Sequence, residues 1–262
     1  VVRIGRRIVK LGIIQGRLSK PIEGFQECPR NWGREFDLLP ELGLNHIEWI
    51  VTLDNFQSNP IFYNKVDKYP ISSICADSMV CSDFYKSEHM NKFLEPICKV
   101  ANYNKIKNIT IPLLEQSSIE DDEIANKFME SFYPYTERFK NINFLIEAEL
   151  HHDKLKKALD LNSNLFVTYD TGNITSYGLN HKEYILKLKD KIKQVHIKDR
   201  IIKPLQTVEP TEGDTDFELI FKCLKQVNYN GLYTLQTARM EDGKEIETIK
   251  RHKKIIEGIY ND

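Results

Sequence analysis

Eight times along the chain a short apolar run gives way to a longer stretch of helical spacing, and few folds accommodate that rhythm. VKLGIIQG (9–16), HIEWIV (46–51), ISSICAD (71–77), KNITIPLL (107–114), NFLIEAE (143–149), LFVTYDTG (165–172), KQVHIKD (193–199) and LYTLQTA (232–238) read as strands. Between them, 31–42 carries Trp32, Phe36, Leu39 and Leu42 on one face, and 88–103 carries Met90, Leu94, Ile97 and Ala101. Residues 120–139, 152–159, 178–189, a segment from Phe217 to Val227 and a closing segment from Ile246 to Tyr260 follow the same helical period. A short helix is expected at 60–68. Pro96 and Pro134 fall inside helical patterns, and each predicts a kink or a break.

Strands that return in parallel need a crossover helix, so this alternation implies a parallel sheet. Eight units in one chain of 262 residues predict an α/β fold, a closed (β/α)8 TIM barrel forming a single domain over 1–262. An open doubly wound sheet is the rival, but no GxGxxG follows the first strand. In a barrel the long connections 16–30, 77–87 and 200–214 all leave the C-terminal ends of strands, where barrel enzymes keep their active sites.

With a net charge of -1, whole-molecule attraction to nucleic acid or to an anionic membrane is not expected. The basic start (Arg3, Arg6, Arg7, Lys10) reads as a solvated tail. The five cysteines are odd in number, and none is spaced as CxxC, which points to a reducing, cytoplasmic setting. Neither an 18-residue apolar run nor a signal-like start is seen, so neither a membrane span nor secretion is expected.

Polar residues follow the apolar runs of the last four strands: Glu147 in LIEAE, Asp170 in VTYDTGN, His196 in VHIKDR and Gln236 in TLQTAR. A buried carboxylate at a strand end needs a partner or a metal. For any one of these residues alone, an ordinary core hydrogen bond or ion pair is the better account. Four at consecutive strand ends favour a site. Two carboxylates, an imidazole and a carboxamide oxygen suit a divalent metal ion: Mn²⁺, Mg²⁺, Co²⁺ or Zn²⁺. Gln15, Arg17, Glu48, Asp77, Asn173, Lys198, Arg200 and Arg239 sit at or just beyond strand ends and are candidates for contacting substrate. The four cations among them suit a phosphate or carboxylate; the competing reading is that they tie loops down. Trp49 alternates with Glu48 and is expected to meet the helices if Glu48 faces inward.

VTYDTGN, VHIKDR, the GDTDF run at 213–217 and LQTAR resemble the xylose-isomerase-like family of sugar phosphate isomerases and epimerases. LGIIQGRLS with HIEWI is similar to one of its branches. The resemblance implies a metal held by Glu147, Asp170 and His196, with Gln236 where ketose 3-epimerases carry a second glutamate. It also implies a substrate contact three residues after the aspartate, where this chain has Asn173 rather than histidine. Arg200 is the nearest match to a substrate-binding arginine downstream of the seventh strand. By resemblance the partner is a small sugar or sugar phosphate, the site catalyses isomerisation or epimerisation through an ene-diolate, and a homo-oligomer stays open.

Glutamine ligates through its carbonyl oxygen but takes up no proton near neutral pH. A two-base epimerase needs an acceptor on each face of the carbon, whereas an aldose–ketose isomerase manages with one, here Glu147. Glu149, Glu209 and Lys198 remain as sources of a second acid. Three other readings stay open. One is a metal-dependent lyase, dehydratase or hydrolase of the same barrel family, acting on inositol-like or keto acid substrates. Another is a non-catalytic ligand-binding barrel. The third, a DNA repair nuclease, asks for a histidine-rich metal cluster and a basic groove that this sequence lacks.

Overall fold

A computed structural model describes residues 10–21 and 28–262. The basic start at Arg3, Arg6 and Arg7, and part of the 16–30 connection, lie outside the described residues. Eight parallel strands close into a barrel: β1 (Leu11–Ile14), β2 (Ile47–Ile50), β3 (Ile71–Cys75), β4 (Asn108–Leu113), β5 (Asn143–Ala148), β6 (Leu165–Asp170), β7 (Ile192–Ile197) and β10 (Leu232–Leu235). The order around the barrel is β1-β10-β7-β6-β5-β4-β3-β2. A separate antiparallel hairpin, β8 (Asp199–Ile201) with β9 (Gln206–Val208), stands in the connection after β7. Among the described residues no helix is long and apolar enough to cross a membrane, and the five cysteines are free thiols.

Each strand divides its side chains by parity. One set, including Ile13, Trp49, Ile74, Ile109, Ile111, Ile146, Val167, Val195 and Leu235, joins the large apolar core against the helices. Trp49 is among them, fully buried against Trp32 and Phe36, with its indole N–H donating to Asn59 Oδ1 at 2.9 Å. The other set faces the barrel axis. On β1 to β3 it supplies the buried Glu48 and Ser73 together with Ile14, Ile50 and Cys75, the last three a small apolar cluster separate from the main core. From β4 onward it supplies Thr110, Glu147, Thr168, Asp170, Gln194, His196, Thr234 and Gln236, all buried.

The helices are α1 (Trp32–Leu42), α2 (Ser87–His89), α3 (Glu95–Tyr103), α4 (Asp122–Arg138), α5 (His152–Leu159), α6 (Thr171–Ser176), α7 (His181–Leu188), α8 (Phe217–Gln226) and α9 (Glu245–Asn261). The helix expected over 60–68 is instead two 3-10 turns, Phe56–Ser58 and Pro60–Phe62. Asn59 pins the chain there, donating to Ile50 O at 2.8 Å while its Oδ1 caps Ile61 N. Ahead of Pro96 the 88–103 segment widens into a π-helical stretch, Met90–Leu94, in keeping with the missing N–H. α4 runs unbroken through Pro134, contrary to the expected break, because that proline lies on its exposed face, where water can serve the freed carbonyl.

Candidate metal centre

β5, β6 and β7 end side by side, and their last inward side chains are Glu147, Asp170 and His196. Asp170 and His196 are register partners across the β6–β7 ladder, and His196 is likewise opposite Thr234 of β10. His196 Nδ1 lies 3.5 Å from Glu147 Oε2 and 3.8 Å from Asp170 Oδ2. One ligand atom from each of the three falls within 4.8 Å of the others, and all three residues are buried.

The remaining polar atoms of this trio are tied down, which is what aims the free ones. Asn173, in the first turn of α6, holds both carboxylates. Its backbone N–H donates to Asp170 Oδ1 at 2.8 Å and its side-chain N–H to Glu147 Oε1 at 3.0 Å. The other ring nitrogen of His196, Nε2, lies 2.6 Å from Glu48 Oε2. Glu48 is completely buried and also accepts from Thr110 Oγ1 at 2.8 Å and Gln194 Nε2 at 2.7 Å. What is left over is a set of buried polar atoms that find no hydrogen-bond partner among the described residues: Asp170 Oδ2 and His196 Nδ1 of the trio, with Gln236 Oε1 just past the end of β10. Asp170 Oδ2 does have an ion-pair neighbour, Lys198 Nζ at 2.8 Å, though without hydrogen-bond alignment.

Buried polar atoms without a hydrogen-bond partner are rare and need an explanation. These, of carboxylate, imidazole and amide chemistry, fit a divalent cation. An imidazole whose far nitrogen is fixed by a carboxylate is the usual arrangement behind a metal-ligating histidine.

The charges at this centre balance one another. Burial works to raise the Glu48 carboxyl, but the His196 ring and the Thr110 and Gln194 hydrogen bonds outweigh it and leave the group below its ordinary range. Burial likewise opposes the imidazolium of His196, while Glu48 and Glu147 outweigh it and hold the ring above its usual value. Asp170 is buried too, yet Lys198 and His196 keep it well below the carboxylate range. Asp77, in the turn after β3, is pushed up to about 6 by burial and then by the charge of Glu147.

The other sequence candidates take different places. Gln15 is buried and accepts from Ile50 N at 3.1 Å, linking β1 to β2. Arg17 Nε donates to Thr237 O, and Arg239 donates to Gly16 O and Ser19 O, so these two guanidinium groups lace the ends of β1 and β10 together. Lys198 and Arg200 lie on the site side of the β8 hairpin. Arg200 Nη1 is 3.3 Å from Ser176 Oγ and 3.9 Å from Glu149 Oε1. Glu149, offered as a second acid, sits partly buried there, and burial raises its carboxyl against the pull of Tyr177 and Arg200. Glu209 is not at the centre: it is held by Arg251 of α9, with Nη2 to Oε2 at 3.0 Å. Away from the centre and from these candidates, the rings of His151 and His152 lie 4.0 Å apart at a tilt at the start of α5, and with Asp153 they form a separate group of potential ligands.

Three residues that organise the site were not singled out as doing so. Glu48 works beneath His196, and Gln194 and Thr110 hold Glu48. Gln194 stands two residues before His196 on the same strand face, a parity signal that was available. Glu35 is a fourth organiser, further out: buried in α1, it accepts from Gly16 N, Leu18 N and Ser19 Oγ and so shapes the loop after β1.

Fold and site together define an eight-stranded parallel barrel with a carboxylate–imidazole centre at the C-terminal ends of its strands. A family model for the xylose isomerase-like TIM barrel matches residues 120–259, more than half of the chain, and the chain belongs to that family. An inosose dehydratase of Clostridium perfringens is 29% identical over 34% of this chain. That match spans 36% of the relative, so only about a third of the length of such curated relatives is covered. Among solved structures, 3-keto-D-glucoside 4-epimerase from E. coli superposes with a TM-score of 0.70 at 16% identity, covering 95% of this chain and 98% of that one. The IolI protein with a bound zinc atom gives a TM-score of 0.72 at 15% identity, covering 96% and 99%. At such identities the likeness is one of fold.

Proposed function

We propose that this protein is a divalent-metal-dependent isomerase or epimerase of a small sugar, sugar phosphate or related polyol, working by proton transfer next to a carbonyl. In this reading residues 1–262 act as one barrel domain and the reaction takes place at the C-terminal mouth. The observation that carries it is the convergence of Glu147 Oε2, Asp170 Oδ2 and His196 Nδ1. Those residues, with Gln236 Oε1 as fourth donor, would hold Mn, Mg, Co or Zn. When bound, such an ion polarises a substrate carbonyl and lowers the cost of developing enolate charge.

Glu147 is the proton carrier. Its carboxylate takes the proton from the hydroxyl-bearing carbon beside the carbonyl and delivers it to the carbonyl carbon, while the hydroxyl proton passes from one oxygen to the other, which interconverts aldose and ketose. Asn173 fixes its orientation, and orientation is much of what such a base needs. Gln236 cannot serve as a second base, so one-base isomerisation fits this chain better than two-base epimerisation. Lys198 and Arg200 put positive charge at the rim, where a hydroxyl or phosphate oxygen of the substrate would lie.

A second reading, dehydration, is supported by the inosose dehydratase relatives. The first step is the same, but the electron pair then expels a β-hydroxyl, which takes up the proton Glu147 removed and leaves as water. One experiment separates the two: the metal-loaded protein is given ketoses, aldoses, their phosphates and inososes in D₂O, and the products are read by NMR. Isomerisation yields a deuterated isomer, and dehydration an unsaturated or diketo product. Glu147→Gln should cut either reaction about 10²–10⁴-fold. Full proton exchange in that variant would remove Glu147 from the role.

A further inference from the structure

The centre already contains a cation of its own. Lys198 is buried, and its Nζ sits 2.8 Å from Asp170 Oδ2, the one oxygen of that carboxylate that Asn173 does not hold. Its backbone is locked: Lys198 N–H donates to Thr171 Oγ1 at 3.0 Å, and that hydroxyl donates back to Lys198 O at 2.6 Å. Its stem lies across Gly172, where an added Cβ would come within 2.9 Å of Lys198 Cγ and 3.0 Å of Cδ. Only the ammonium head is left to move. A second acceptor stands within its reach, Asn173 Oδ1 at 3.5 Å, and Asn173 is the residue that holds both carboxylates.

We propose that Lys198 is a resident counter-ion that competes with the metal for Asp170. Without metal the ammonium neutralises Asp170. When a divalent ion takes Asp170 Oδ2, the ammonium is released toward Asn173 Oδ1 and the mouth of the barrel. Lys198 thereby weakens metal binding, and it presents its charge to substrate only once the centre is loaded. This rests on the metal centre of the proposed function, but on neither of its two reactions.

The test is binding rather than turnover. Mn²⁺ and Zn²⁺ affinities are measured by chelator competition on wild type, Lys198→Met and Lys198→Arg, with melting temperatures taken metal-free and metal-saturated. Lys198→Met removes a like charge and a competitor from a buried site, so it should bind metal about tenfold tighter or more. Its metal-free form should melt lower than wild type while the saturated form does not, widening the gap between the two. Lys198→Arg, which keeps the charge, should stay near wild type. Should Lys198→Met fail to fold, Lys198→Gln makes the same comparison. Unchanged or weaker affinity in the neutral variant overturns the proposal. Absence of turnover with tight metal binding would instead count against the reaction and leave the counter-ion role standing.

Discussion

The inner wall of the barrel has two arcs built on opposite terms. On β1 to β3 the inward positions near the mouth are Ile14, Ile50 and Cys75, held by contact alone. On β5, β6, β7 and just past β10 they are Glu147, Asp170, His196 and Gln236, and for the first three order comes from hydrogen bonds made by the half of each group that does not face the centre. The outward faces of both arcs are apolar, so the contrast is not a matter of strand chemistry. It lies in what the inward side chains must satisfy. An apolar wall loses packing when trimmed; a polar wall loses its aim when a support is removed, even though the support touches no ligand.

That contrast can be broken by substitution. The largest effect is expected at Glu48, which lies under His196. Glu48→Gln keeps the shape and removes the charge, and metal affinity should fall about 10–100-fold in a chelator titration. An unaltered affinity would place Glu48 with the packing residues. Next comes Gln236→Glu, which restores a charged fourth ligand. Metal should bind about tenfold tighter, the scale of one added charge interaction in a partly screened site. Epimerised product should also rise in the D₂O assay; no gain in either would show that Gln236 Oε1 does not reach the ion. The smallest effect is expected from the apolar arc. Ile50→Val should cost about 1 kcal/mol in denaturant unfolding and leave metal affinity as it was. A shift in affinity there would mean that the two arcs are mechanically joined.

The architecture was legible because each barrel strand carries both an apolar run and an abrupt polar end, and because its parity is strict. Glu147, Asp170 and His196 could be placed together from that alone. Glu48 shows the limit. Parity indicates that it faces the axis, but depth along the axis depends on how the strands are staggered, which no single strand records. Glu48 therefore reads from the sequence as a rim residue, whereas its hydrogen bonds set it beneath His196, beside Gln194 and Thr110. The arginines show another limit. Arg17 and Arg239 carry the right charge for a phosphate, yet they donate to backbone carbonyls of the loops, and backbone acceptors leave no trace in a sequence. α6 and the β8–β9 hairpin are too short to establish a period, and with α6 went the placement of Asn173.

The column of Glu48, Gln194 and His196 on the axis also bears on how the barrel closes. A slip of one residue between β2 and its neighbours would turn the glutamate outward into aliphatic packing, and a slip of two would lift it away from its imidazole. Either error strands a charge where no water reaches, at a cost no loose barrel can absorb. The same residues that ready the mouth for chemistry thus act as a proofreader for the assembly of the staves, admitting one stagger and rejecting its near misses.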